Sequence, residues 1–148
     1  VHGNIDYYRC AENCTPEHYP LEAGFLPFEK GQQLSCEQEA RLCCPRCGAR
    51  ARPHVLWFDE CYNEEHFRFD SSRAAAAKAV ALISVGTSGA TNLPVQMGYI
   101  AAQRGALLVD INPQPNPFSQ LAEQQGGRWL RESATTGLVR VVKAIQGG

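Results

Sequence analysis

Two short cysteine spacings offer the most specific chemistry in the chain. Cys10 and Cys14 are separated by three residues, Cys44 and Cys47 by two, and 29 residues lie between the pairs. Four soft thiolates satisfy a tetrahedral zinc ion and two do not, and each short spacing brings both of its sulfurs onto one ion. The pattern predicts a structural zinc site, since four thiolates leave no position open for water. Free or disulfide-bonded cysteines are the alternative. Cys43 competes with Cys44, but the Cys44-Pro45-Arg46-Cys47-Gly48 register favours Cys44. Cys36 and Cys61 read as small buried hydrophobes rather than ligands.

A second candidate is Gly86-Thr87-Ser88-Gly89, placed between an apolar strand and a helix, where backbone amides and hydroxyls suit a phosphate or a ribose. Gly and Ser that merely turn the chain are the competing account. Asn112 falls at the end of the next strand, on the carboxyl edge where open sheets bind ligands, although Asn-Pro is also a common strand stop. His2 stands beside Gly3, and spacing alone does not make it catalytic. His18 and His66 read as solvated loop and helix positions, and His54 as the border of the following strand. Asp59-Glu60 could act as acid/base carboxylates, but a capping or salt-bridge role suits Glu60 better.

The elements that must position these groups follow from periodicity. Residues 4–10 alternate as a short strand ending at the first thiolate, and residues 15–35, with their Pro and Gly, read as an irregular excursion. Residues 53–58 predict a short buried strand. Asn63 caps a helix whose first turn is acidic and whose body runs through Ala74–Ala77, with a split at Ser71-Ser72. From Val80 onward the chain reads as strand 80–85, helix 92–103, strand 106–111, helix 118–125, strand 128–130 and helix 134–145. The continuous apolar runs suit parallel strands covered on both faces, joined by right-handed crossovers.

Composition bounds the reading. The 148 residues allow one domain carrying a small module, and 44% apolar against 20% charged residues permits a packed core. A net charge of -1 with scattered basic residues argues against electrostatic capture of nucleic acid. No apolar run reaches the roughly 18–20 residues of a membrane span, so no membrane role is expected. Seven cysteines, an odd number, fit a metal site plus spare thiols and a reducing, cytoplasmic setting. The chain begins at Val1 without Met or a signal-like segment, which reads as a piece of something longer.

Taken in order, His2-Gly3, Arg9-Cys10, Cys14, the block Cys44-Pro45-x-Cys47-Gly48 through Arg52-Pro53-His54-Val55-Leu56-Trp57-Phe58-Asp59-Glu60, Gly86-Thr87-Ser88 and Ile111-Asn112 resemble the sirtuin family of NAD-dependent protein lysine deacylases. The resemblance implies an α/β fold, the C-terminal half of a Rossmann-like parallel sheet with a small zinc-ribbon module inserted. Residues 1–9 would form the catalytic-histidine segment, 10–52 the zinc ribbon and 53–148 the half-sheet. It implies His2 as the general base toward an NAD ribose hydroxyl, a role that suits an imidazole. Leu56, Phe58 and Asp59 would belong to the segment that pairs with an acyl-lysine peptide by β-augmentation, Leu56 and Phe58 walling the acyl-lysine tunnel. Gly86, Thr87 and Ser88 would hold NAD phosphate and ribose, Asn112 the adenosine ribose, and Ala134 would border adenine. Cys10, Cys14, Cys44 and Cys47 would hold one structural zinc ion.

The sequence departs from the family pattern at Asp59, where Gly is usual, and at Asn92-Leu93-Pro94-Val95, where a Tyr-Pro-Ala-Ala-like segment is usual. It also opens at the histidine and lacks the family's N-terminal Gly-rich loop and Gln-Asn-x-Asp segment. The expectation is therefore removal of acetyl-type or succinyl-type groups from protein lysines, giving nicotinamide and O-acyl-ADP-ribose, by an enzyme of which these residues are one part and are inert alone. A non-catalytic zinc-ribbon and half-Rossmann binding module is the alternative. A zinc-dependent hydrolase is disfavoured by the all-thiolate metal set.

Overall fold

The computed structural model describes residues 1–22 and 29–147, which divide into two units, Val1–Arg68 and Phe69–Gly148. In the first, β1 (Gly3–Cys10) is the centre of a three-stranded antiparallel sheet, flanked by β2 (Tyr19–Pro20) and β3 (Ala51–Val55). The β1–β3 register shifts between Asn4 and Tyr8, a bulge that re-aims the start of β1. Gly3 is obligatory there: its φ is +87°, and a Cβ would stand 2.0 Å from the carbonyl oxygen of His54.

A helix absent from the sequence reading, α1 (Cys36–Arg41), begins where the stretch read as irregular, residues 15–35, ends. Ser35 caps it, accepting from the Gln38 amide while the Gln38 side chain returns to the Ser35 amide, a complete capping box. The helix carries no buried residue, so periodicity had nothing to report. Asn63 does cap α2 (Glu64–Phe67), but the break before α3 (Phe69–Lys78) falls at Arg68, in the left-handed region at φ +54°, and not at Ser71-Ser72.

The second unit holds a parallel sheet in the order β4 (Ala81–Val85), β5 (Leu107–Ile111), β6 (Arg128–Leu130). Its crossovers are α4 (Asn92–Gln103) and α5 (Pro117–Gln124), with α6 (Ala134–Gln146) following β6. Helix α4 and strand β6 have the bounds that the apolar runs predict. The core gathers Ala101 from α4, Ala106 and Leu108 at β5, and Leu121 and Ala122 from α5, with Leu82 of β4 packed against them. Gly98 lets α4 approach Phe118 of α5, since a Cβ there would meet that ring at 3.1 Å. Among the described residues no helix is long and apolar enough to cross a membrane.

Candidate functional site

In the first unit the four sulfurs of Cys10, Cys14, Cys44 and Cys47 lie within 4.8 Å of one another. Cys10 comes from the end of β1, Cys14 from the turn beyond it, and Cys44 and Cys47 from a knuckle closed by bonds from the Cys44 amide to Ala49 and from the Gly48 amide to Cys44. The Sγ atoms of Cys10 and Cys47, and of Cys14 and Cys44, are 3.6 Å apart. Zinc–sulfur bonds of about 2.3 Å set tetrahedral ligands roughly 3.8 Å apart, so the four sulfurs have the spacing of a zinc site and not of disulfides. The Cys14 amide hydrogen-bonds the Cys10 sulfur and brings that thiol down to about 7, while the neighbouring sulfurs push the Cys14 thiol up, so the cluster without a metal shares its protons unevenly. Cys36 and Cys61 are both exposed, correcting the expectation that they are buried; neither replaces a core residue.

His2 lies at the head of β1. Its carbonyl accepts from the Leu56 amide at 3.0 Å, and its Nε2 is 2.7 Å from the Tyr62 hydroxyl. The Tyr62 ring packs tilted against the imidazole, 5.7 Å between centroids. Sequence reading missed Tyr62, because a loop tyrosine sixty residues away carries no local signal. The expected strand through Phe58 stops instead at Val55. Glu60 ends it: its carboxylate accepts from the Trp57 amide at 2.9 Å and forks onto the Arg52 guanidinium, which stacks 4.1 Å over the Trp57 ring. Hydrogen bonding by Arg52, then by the Trp57 amide, holds the Glu60 carboxyl down at about 2. Residues 56–59 are thus a turn that leaves the Phe58 side chain fully exposed, with Leu56 half-buried and Asp59 exposed.

The remaining histidines overturn their solvated reading. His66 is buried, His18 half-buried, and both meet the buried His54 of β3 in one cluster.

In the second unit, parallel strands bring their carboxyl ends to one edge. Gly86 leaves β4 at φ +61° with its amide bonded to the carbonyl of Ile111. The Asn112 side chain donates to the Thr87 carbonyl at 2.8 Å, fixing the loop, while the main-chain carbonyl of Asn112 accepts from the Trp129 indole. Ser88 is exposed on the same loop. Ala134 is half-buried in the first turn of α6, after Ser133 as cap, at the same edge beyond β6. Beneath the loop lies a network the sequence reading did not include: Asp110, almost wholly buried, accepts from the Ser84 hydroxyl at 2.6 Å and from the Asn116 amide at 2.7 Å. An Asp inside an apolar strand was the available signal.

No protein-family model matches the chain. It is 35% identical over 138 residues to an NAD-dependent protein deacylase of Thermus thermophilus, a match covering 93% of this chain and 46% of that protein. A protein of the same name from Pyrococcus furiosus is 30% identical over 146 residues, covering 99% of this chain and 53% of its own length. The chain therefore spans about half the length of the curated relatives it matches. Among solved structures, a Sir2 homologue mutant in complex with ADP-ribose superposes with a TM-score of 0.76 at 24% identity, covering 99% of this chain and 51% of that one. Sir2Tm bound to a propionylated peptide superposes at 0.66 and 18% identity, covering 99% and 55%. At these identities the structural likeness establishes the fold.

Proposed function

The chain belongs to the Sir2, or sirtuin, family, and on that premise we propose that it works within an NAD-dependent protein lysine deacylase. The Thermus and Pyrococcus relatives named NAD-dependent protein deacylase, aligned over 93% and 99% of these residues, are the observation that carries the reading. The reaction takes an acetyl-type or succinyl-type group from lysine and consumes NAD and one water: the acyl oxygen displaces nicotinamide from the NAD ribose, water breaks the bond to the lysine nitrogen, and free lysine and O-acyl-ADP-ribose are released.

Each group then has a task. His2 takes a proton from a ribose hydroxyl; the Tyr62 hydroxyl on Nε2 and the Leu56 amide on its carbonyl hold the ring at the head of β1. Leu56, Phe58 and Asp59 meet the acyl-lysine peptide; the exposed Phe58 ring at the tip of the turn supports that role. Gly86, Thr87 and Ser88 bind NAD phosphate and ribose, with Asn112 on the adenosine ribose and Ala134 beside adenine. Their convergence on the carboxyl edge of a parallel sheet supports this, because that edge is where such sheets bind nucleotides. Cys10, Cys14, Cys44 and Cys47 hold a structural zinc ion, and the need for four reduced thiolates supports a cytoplasmic setting.

The test is nicotinamide release from NAD by the full translation product that contains these residues, given acetyl-lysine and succinyl-lysine peptides. We expect turnover on one or both peptides and a loss of about 10²–10⁴-fold in His2→Ala. NAD binding without turnover on either peptide would sink the reading in favour of a non-catalytic binding module.

A further inference from the structure

The first unit holds a second group of metal-competent side chains, sharing no ligand with the tetrathiolate. His18 from the segment before β2, His54 from β3 and His66 from α2 place a ring nitrogen each within 4.8 Å of one another. His54 and His66 are only 7% and 8% exposed. We propose that these three imidazoles form a second metal site, taking a zinc-class divalent ion and clipping the His18 segment to β3 and α2.

Three observations carry this. His18 Nε2 and His66 Nδ1 are 3.3 Å apart. As it stands the pair is a long N–H hydrogen bond, against the usual length of about 2.9–3.0 Å, and it brings the two nitrogens close enough for one ion to take both once the His18 ring has turned, since tetrahedral nitrogens on zinc stand roughly 3.3–3.4 Å apart. Second, His54 Nδ1 is buried and has no hydrogen-bond partner among the described residues. A buried polar nitrogen left unpaired is costly, and an ion bound at that nitrogen would remove the cost. Third, His66 Nε2 stands 3.9 Å from a carboxylate oxygen of Glu65 while its Nδ1 faces His18. At that distance the carboxylate is not hydrogen-bonded to the ring, and a small shift of the exposed Glu65 side chain would bring it into the contact that fixes a metal-bound imidazole and raises its basicity.

The surroundings permit the ion. Burial is the leading cause that lowers the proton affinity of all three rings, His54 to about 4, so they present lone pairs at neutral pH. Arg9 and Arg52 add positive charge nearby, which opposes a cation, but both guanidiniums face Glu60. A cleft of about 290 Å³ lined by Arg9, Asn13, Glu65 and His66 gives an approach from solvent. One ring must turn: His18 stacks on His54 at 3.7 Å between centroids and 29° between planes, and a metal binds in the ring plane. His18 is the half-buried member, on a segment outside the strands, and is the ring able to do so. Imidazole selects borderline ions such as zinc, cobalt and nickel, and three protein nitrogens leave a fourth position for water.

The experiment titrates the zinc-loaded protein with Co²⁺ and follows the visible spectrum. We expect one equivalent per chain with the bands of nitrogen- and oxygen-ligated cobalt, and affinity reduced by at least about 10–100-fold in both His18→Ala and Glu65→Gln. Glu65 is exposed, so its variant keeps the fold and decides the matter if His18→Ala does not. No second equivalent, a spectrum showing only thiolate-to-cobalt charge transfer, or unchanged affinity in Glu65→Gln and a folded His18→Ala overturns the proposal.

Discussion

At the scale of single residues, Glu60 shows how one side chain can end a strand. Its carboxylate engages Arg52 and the Trp57 amide together, so the charge is worth most while it is ionised. The folded carboxyl titrates near 2, below its ordinary value near 4.5, so the stabilisation is complete above about pH 4.5 and is lost as pH falls through the folded value. Comparing urea melts of the parent and Glu60→Gln should therefore give a stability gap that is constant from pH 7 to about 5 and narrows below about 4.5. A gap that widens on acidification would remove Glu60 from this role. The salt-bridge role of Glu60 was legible in the sequence, as were the four thiolates, because short spacings and an acidic residue after an apolar strand are local signals. The burial of His18 and His66 was not, since it depends on three segments meeting from positions 18, 54 and 66.

At the scale of elements, legibility tracked how much apolar surface an element hides. Helix α4 could be bounded to the residue because it buries Leu93, Gly98 and Ala101, whereas β6, with no fully buried residue, was bounded by the Gly126-Gly127 turn before it. Helix α1, with no buried residue, and the two-residue β2 left no pattern to find. The Arg68 break escaped notice because nothing in an arginine side chain favours the left-handed region it occupies. Helix α5 combines both kinds of information. Asn116 accepts from the Phe118 and Ser119 amides as cap, and its side-chain amide also satisfies the buried Asp110. Asn116→Ala should then cost more than a cap, about 0.5–2 kcal/mol, by the further 1–3 kcal/mol of a buried acceptor left unpaired. Denaturant unfolding of the second unit measures the sum, expected at roughly 2–4 kcal/mol; a loss under about 1 kcal/mol would show that Asp110 finds another donor.

At the scale of the whole chain, the two units are stabilised by different means. The second has an aliphatic core drawn from two strands and two helices. In the first, the buried apolar residues among those described are Cys10, Cys44 and Phe67, joined by the polar Arg9, Thr15, His54 and His66. Two of those three apolar groups are the proposed zinc thiolates, so this unit of fewer than seventy residues lacks the apolar burial that stabilises small domains by itself. Zinc binding to such sites is worth about 10–16 kcal/mol in small zinc-folded peptides, more than a typical domain's entire stability. Chelating the zinc should therefore unfold the first unit and spare the second. Amide hydrogen exchange reads the two separately: β1 and β3 should lose protection at once, while β4, β5 and α4 keep theirs. Protection that survives in β1 and β3 would mean the thiols hold the ribbon without metal. Loss in β5 would mean that the aliphatic core depends on the metal-bound unit for its own stability.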